Sequence, residues 1–314
     1  EEFTSRLLKS KQEEIKKESK KASEIFLQFS KMLDAFDQRN NMLVGVVANA
    51  FALRDLRLCY KIEAWIDTYE DQVAHWFDVI SFFDAQNSLA NFVFNHPENC
   101  FPEIVSSKFV IESKKLGHPL ISKDKRVDNN FSIQGTDFFI ITGANMAGKS
   151  TFLRTVSLSI IMANAGLPVC ANSFRYSPIK LITSMRTSDS LTDDESYFFS
   201  ELKRLKKIIE SVQLTEKPGD YFIILDEILK GTNSTDKAIG SRKFVERLVK
   251  LGAMGIIATH DLSLCEISKD LSEVKNHYFD AEIIDNELYF DYTFKDGICK
   301  NMNASFLLKK MEII

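Results

Sequence analysis

The segment that most restricts the fold is Gly143-Ala144-Asn145-Met146-Ala147-Gly148-Lys149-Ser150, which fits G-x-x-x-x-G-K-[ST]. Glycines in that pattern let the backbone curl until its N–H groups converge. The helix that follows presents its positive end to the same point. Such a concavity suits phosphate. Lys149 is placed to reach the β- and γ-phosphates of a nucleoside triphosphate, and Ser150 to ligate Mg²⁺. The flanks agree. Phe138, Phe139, Ile140 and Ile141 read as a buried strand just before the loop. Residues 151–165 read as a helix just after it, with Phe152, Val156, Ile160 and Ala163 on one side.

Two further strand ends complete the pattern. Tyr221-Phe222-Ile223-Ile224-Leu225 is an apolar run that ends in Asp226-Glu227, as expected at the carboxyl end of the strand neighbouring the loop strand. Asp226 is positioned to hold Mg²⁺, and Glu227 to polarise an attacking water as general base. Alone this run is a weak signal; downstream of a phosphate loop it is specific. The next apolar run ends in Ala258-Thr259-His260. A histidine there can donate a hydrogen bond to a γ-phosphate and so report its presence. The plain alternatives are an acidic strand end in solvent and a surface histidine.

Strands alternate with helices through this half of the chain, which implies a mostly parallel sheet covered by helices. We expect strands at 138–141, 181–185, 221–225 and 254–258 and helices at 149–165, 196–213, 235–250 and 261–269. An antiparallel hairpin is expected from 278–284 and 287–294, turning at Asp285-Asn286, and a last helix at 303–311.

The first third reads as all-helical. Leu8, Ile15, Ala22, Phe29 and Phe36 recur every seventh residue, with Ile25 and Met32 beside them, which predicts one long helix over 5–36 with a seam seeking a partner. Its dense Lys and Glu read as a solvated face rather than a nucleic-acid patch. Residues 41–95 continue helical, with Trp65, Ile66, Tyr69, Val73, Trp76, Phe77 and Ile80 as a core stripe. His75 beside it lacks a second ligand. The segment 97–102, with two prolines, marks the boundary, giving a helical segment 1–100 and an α/β domain 101–314.

Composition narrows the class further. The net charge of −4 gives no global nucleic-acid signal. The five cysteines, Cys59, Cys100, Cys170, Cys265 and Cys299, form no C-x-x-C pair, so we expect a reducing, cytoplasmic setting without a disulfide framework or zinc site. No apolar stretch is long enough for a bilayer. The chain opens on Glu1 rather than Met, and we expect natural sequence upstream.

Residues 142–151 resemble the TGPNMGGKST phosphate loop of the MutS mismatch-repair ATPases. Residues 225–236 resemble their [LM]DEIGRGTSTYDG segment, residues 258–260 their ATH, and His118-Pro119 their RHP. The likeness extends in order over roughly 85–312, and residues 1–85 are similar to the returning arm of the MutS lever and core. It implies an ABC-like P-loop ATPase domain, preceded by a helical lever and core segment. It implies ATP and Mg²⁺ as cofactors, with Gly143 to Ser150 and Thr151 around the phosphates and Asn145 near the γ-phosphate. It also implies a dimer, here a homodimer, whose shared ATP sites drive a clamp on double-stranded DNA through regions largely outside this chain. Residues 193–198 match the family's SGRSTF, which places Ser196 against the partner's γ-phosphate. A simple helix N-cap is the alternative role for Ser196.

Departures stand out. Ala144 and Ala147 replace Pro and Gly. Asp193, Asp194 and Glu195 precede Ser196, where acids facing a triphosphate are unfavourable. Arg126 stands nearest the place where the family sets an aromatic residue against adenine; it either stacks through its guanidinium plane or lies exposed. Two other readings remain: an ABC- or SMC-like ATPase with a coiled-coil arm, disfavoured because no LSGGQ-like segment precedes Asp226, and a nucleotide-gated scaffold with little hydrolysis.

Overall fold

A computed structural model describes residues 4–16, 21–38, 42–106, 109–185, 197–214, 220–285 and 287–300. The chain divides into two compact units, 1–95 and 96–314.

The first unit contains α1 (Arg6–Lys16), α2 (Ala22–Asp37), α3 (Met42–Ala52) and α4 (Arg54–Asn95). The expected single helix over 5–36 is not continuous, because Lys21 is extended (φ −70°, ψ 140°) and a new helix starts at Ala22. Leu53, at φ 47°, separates α3 from α4. The seam of α2 finds its partner within this chain: Phe29 stacks on Trp65 of α4 at 4.2 Å, and Phe26 meets Trp76 edge-on at 5.3 Å. Ile25, Trp76 and Val79 are buried there. The aromatic stripe of α4 is core only in part, since Ile66, Phe77 and Ile80 stay exposed. One α2 helix is too narrow to cover so wide a stripe. His75 lies 3.4 Å from Glu14, half exposed.

The second unit is built on a six-stranded sheet. Its elements in chain order are β1 (Glu103–Ile104), β2 (Val110–Leu116), β3 (Asn129–Gln134), β4 (Phe138–Gly143), α5 (Lys149–Asn164), β5 (Ser173–Tyr176), β6 (Lys180–Ser184), α6 (Tyr197–Gln213), β7 (Tyr221–Asp226), α7 (Ser234–Lys250) and β8 (Met254–Ala258). There follow a 3₁₀ turn (Leu262–Glu266), the short α8 (Ile267–Asp270), β9 (Val274–Phe279), β10 (Glu282–Ile284), β11 (Glu287–Tyr289) and β12 (Lys295–Asp296).

The main sheet runs β12-β9-β4-β8-β7-β6, parallel except for β12. Alternate residues of its strands feed two cores, as the two-residue period of a strand requires. Phe139, Ile141, Phe222, Ile224 and Ile256 pack on α5 residues Phe152, Val156 and Ile160, with Phe131, Ile133 and Tyr176 of the second sheet. Phe138, Ile140, Ile223, Leu225 and Ile257 pack on Ile208 and Val212 of α6 and on Val245 and Leu248 of α7. The second sheet has the order β1-β5-β2-β3.

Three expectations change. The strand of Asp226 is not beside the loop strand, because β8 lies between β4 and β7. The long hairpin is replaced: residues 274–279 join β4 in parallel, and only β10 and β11 pair as a short ribbon. The helix expected at 261–269 is a 3₁₀ turn followed by one turn of α-helix. The expected helix at 303–311 lies outside the described residues, and so do Asn286 and Ser196. All five cysteines are free thiols. Among the described residues no helix is long and apolar enough to cross a membrane.

Candidate active site

Strand register gathers the three sequence signals. Ile141 of β4 lies opposite Ala258 of β8, and Ala258 opposite Asp226 of β7. Two loop bonds hold the ends together: Thr259 N donates to Ile141 O and Glu227 N to Ala258 O, each at 2.9 Å. The phosphate loop, Asp226-Glu227 and Thr259-His260 therefore leave one carboxyl edge of a parallel sheet, where ligands of such sheets bind.

The loop geometry explains its composition. Gly143 sits at φ 148°, and a Cβ there would lie 2.4 Å from Phe279 O, so no other residue fits. Gly148 opens α5 at φ 102°. Met146 takes a left-handed φ of 66° at the exposed tip beside Asn145. Ala144 and Ala147 face inward, and both are buried in the core under α5. Lys149 is buried, and its Nζ donates to Gly143 O at 2.7 Å and Ala144 O at 2.8 Å.

A cavity of about 840 Å³ lies over the loop. It is lined by Asn145 to Thr151, Asp226, Glu227, Thr259 and His260, and on its other side by His118, Arg126 and Tyr292. That volume is in the range of small-molecule sites. Arg126 does not extend freely into it: its Nε lies 2.5 Å from Asp128, which ties down the guanidinium plane. Tyr292 is the aromatic side chain over the loop, its ring 3.1 Å from where a Cβ on Gly148 would stand. Sequence reading missed it, although Phe290 and Tyr292 alternate visibly in a strand-like stretch.

The electrostatics are specific. Burial, reinforced by the Lys149 ammonium, pushes His260 below the usual histidine range, so its ring is neutral near pH 7. Its ring is also hydrogen-bonded to the backbone of Gly143. Burial, with Arg154 nearby, lowers His118 in the same sense. Glu227 is lowered too, but from a different cause. Burial alone would raise its pKa, but Lys237 and Lys230 together outweigh burial and hold the carboxyl at about 2. Its Oε1 accepts from Lys237 Nζ at 2.8 Å. Its Oε2 lies 3.2 Å from Lys230 Nζ, a buried nitrogen whose contact is ionic rather than a well-aligned hydrogen bond. Glu227 and Leu229 both take left-handed backbone angles (φ 53° and 58°). Glu201 of α6 fixes that turn by accepting from Leu229 N at 2.9 Å and Lys230 N at 3.3 Å. Lys230, Lys237 and Glu201 carried no sequence signal of their own.

The donor set suits a hard cation. The Ser150 hydroxyl and Asp226 carboxylate line one cavity, and oxygen ligands of this kind favour Mg²⁺. Among the described residues no group of three or more His, Cys, Asp or Glu could cage a metal by itself. A cation here would share its ligands with phosphate and water. Ser196 and the acids Asp193, Asp194 and Glu195 fall outside the described residues.

The sequence model of the family described as MutS domain V matches residues 139–310, more than half of the chain. The chain belongs to the MutS family. It is 32% identical over 213 residues to the human "MutS protein homolog 4", covering 64% of this chain and 22% of that protein. It is 31% identical over 235 residues to the "DNA mismatch repair protein MSH4" of Arabidopsis thaliana, covering 72% of this chain and 28% of that protein. Against the "DNA mismatch repair protein MutS" of Staphylococcus haemolyticus it is 27% identical over 274 residues, or 84% of this chain and 30% of that protein. The chain thus spans less than a third of the length of these relatives.

Proposed function

We propose that the α/β unit of this MutS-family chain binds ATP with Mg²⁺ and hydrolyses it, as the motor of a DNA-acting protein. The observation that carries this reading is the convergence of the phosphate loop, Asp226-Glu227 and His260 on one cavity. The loop amides and the α5 N-terminus take the phosphates. Lys149 exchanges its two loop carbonyls for phosphate oxygens. Ser150 and Asp226 would hold Mg²⁺, which neutralises charge on the β- and γ-phosphates when bound. Asn145 and Thr151 line the same wall. His260, neutral and with a single ring N–H, donates to the γ-phosphate once that N–H leaves the Gly143 backbone. Glu227 orients and polarises the attacking water. The Tyr292 ring offers a face to the base, while Arg126 stays paired with Asp128.

Two such sites shared across a homodimer, each completed by Ser196 of the other subunit, would couple ATP to a clamp on double-stranded DNA. In this reading residues 1–100 are the lever and core segment and 101–314 the ATPase domain. Mismatch repair is the role the relatives' names suggest. A second reading, a nucleotide-gated module with feeble hydrolysis, is favoured by one observation: the Glu227 carboxylate is held between two lysines.

The test is ATP binding and phosphate release by the full natural chain, alone and with matched, mismatched and branched duplexes. Lys149→Ala should lose nucleotide binding, and Glu227→Gln should keep binding and lose turnover. Wild-type rates in pure samples of both variants would sink the assignment. Binding without turnover in the unmodified protein would favour the second reading.

A further inference from the structure

We propose that Lys237 is a positioning residue that clamps Glu227 and restrains hydrolysis, so that turnover requires the Lys237–Glu227 pair to open. The proposal rests on the reading of the cavity as an ATPase site.

Both partners are held in place. Lys237 lies in the first turn of α7, whose N-cap Asn233 accepts from Asp236 N at 2.9 Å and donates through Nδ2 to Asp236 at 2.7 Å. Lys237 N itself donates to Asn233 O at 3.0 Å. The side chain therefore starts from a fixed point. A cation in the first turn faces the positive end of its own helix, an unfavourable place that a carboxylate contact offsets. On the other side, Glu227 is tied by its backbone N–H to Ala258 O at 2.9 Å, and the turn after it is pinned by Glu201.

The clamp competes with the chemistry. A general base must accept a hydrogen bond from the attacking water at hydrogen-bonding distance. Oε1 of Glu227 already accepts from Lys237 at 2.8 Å, and Oε2 faces Lys230 at 3.2 Å. A water must share or displace one ammonium. Lys230 belongs to the same turn as Glu227 and moves with it. Lys237 arrives from a separate element, so it is the contact that can part when α7 shifts against the end of β7.

The experiment compares wild type with Lys237→Ala, Lys237→Gln and Lys237→Arg in the full chain. ATP affinity is read with a fluorescent nucleotide, and hydrolysis as steady-state and single-turnover phosphate release. Losing a partly buried ion pair should raise kcat by roughly three- to tenfold, with KM and ATP affinity within about twofold. Lys237→Gln should follow Lys237→Ala, and Lys237→Arg should stay near wild type. Added monovalent salt should speed wild type and leave Lys237→Ala unchanged, because salt weakens the pair. An unchanged or lower kcat in both neutral variants, with ATP binding intact, overturns the clamp and leaves the ATPase reading standing. Failure of wild type to bind ATP overturns both.

Discussion

Gly143 is where fold and site share a single atom's worth of space, so Gly143→Ala tests both. Gly143 lies opposite Phe279 in the β4–β9 register. An alanine Cβ there would approach Phe279 O to 2.4 Å, where ordinary contact starts at 3.4 Å, so β4 and β9 must part by about 1 Å. The backbone angle adds strain of roughly 1–3 kcal/mol, and the overpacking a similar amount. We take about 4 kcal/mol as the sum, which in a unit of this size lowers Tm by roughly 8–16 °C. Gly135 supplies the control. It also has a positive φ (60°), but a Cβ there meets nothing within 4 Å. Gly135→Ala should cost only about 1 kcal/mol, or roughly 2–4 °C. Calorimetry on the full chain, following the transition of the α/β unit, reads both. ATP affinity of Gly143→Ala should also fall, since Phe279 and the loop line the same cavity. Equal shifts for the two variants, or a Gly143→Ala shift below about 2 °C, would refute the steric argument.

Three other outcomes follow from the hydrogen bonding and packing of the two units. Glu201→Ala removes the acceptor for two turn amides and should lower kcat about tenfold with little change in KM, whereas Glu201→Gln keeps one carbonyl and should lose less; phosphate release measures both. Ile25→Ala should cost the helical unit about 2–4 kcal/mol, read as a lowered denaturant midpoint. His277 is buried against Phe139 and Phe294, and burial lowers its pKa more than Asp296 at 2.9 Å restores it. The folded state therefore resists protonation, so stability is present above the unfolded value near pH 6.5 and declines as pH falls below it. Denaturant midpoints from pH 7.5 to 5.5 should drop, and His277→Gln should flatten that slope.

How much was legible depended on whether a feature is contiguous in sequence. β4, β7 and β8 are unbroken apolar runs, and such runs declare a strand buried on both faces. The loop, Asp226-Glu227 and His260 each sit at the end of such a run. β2, β3 and β5 escaped because only one face of each is apolar and their runs are short: β3 offers Phe131 and Ile133 between polar neighbours. β9 was cut in half because Lys275 and His277 look unlike strand core, yet His277 is buried there between aromatic rings. Lys237 was hidden for another reason. It reaches Glu227 from a helix, and the family segment that identified Asp226-Glu227 continues with Gly where this chain has Lys237.

Under the proposed function, the loop and strand ends bind the nucleotide, and the meeting of α6, α7 and the end of β7 governs turnover. Glu201 of α6 accepts from the amides of Leu229 and Lys230. Those amides belong to the left-handed turn that holds Glu227. The opposing constraint comes from α7 through Lys237. Glu227 thus stands between one helix that fixes its backbone turn and another that occupies its carboxylate. A relative shift of these helices smaller than an ångström alters the 2.8 Å contact and leaves the phosphate loop untouched. Under the proposed ATPase function, binding and hydrolysis are therefore separable in this chain. Substitutions at Lys149 should act on the first, and those at Glu201 and Lys237 on the second.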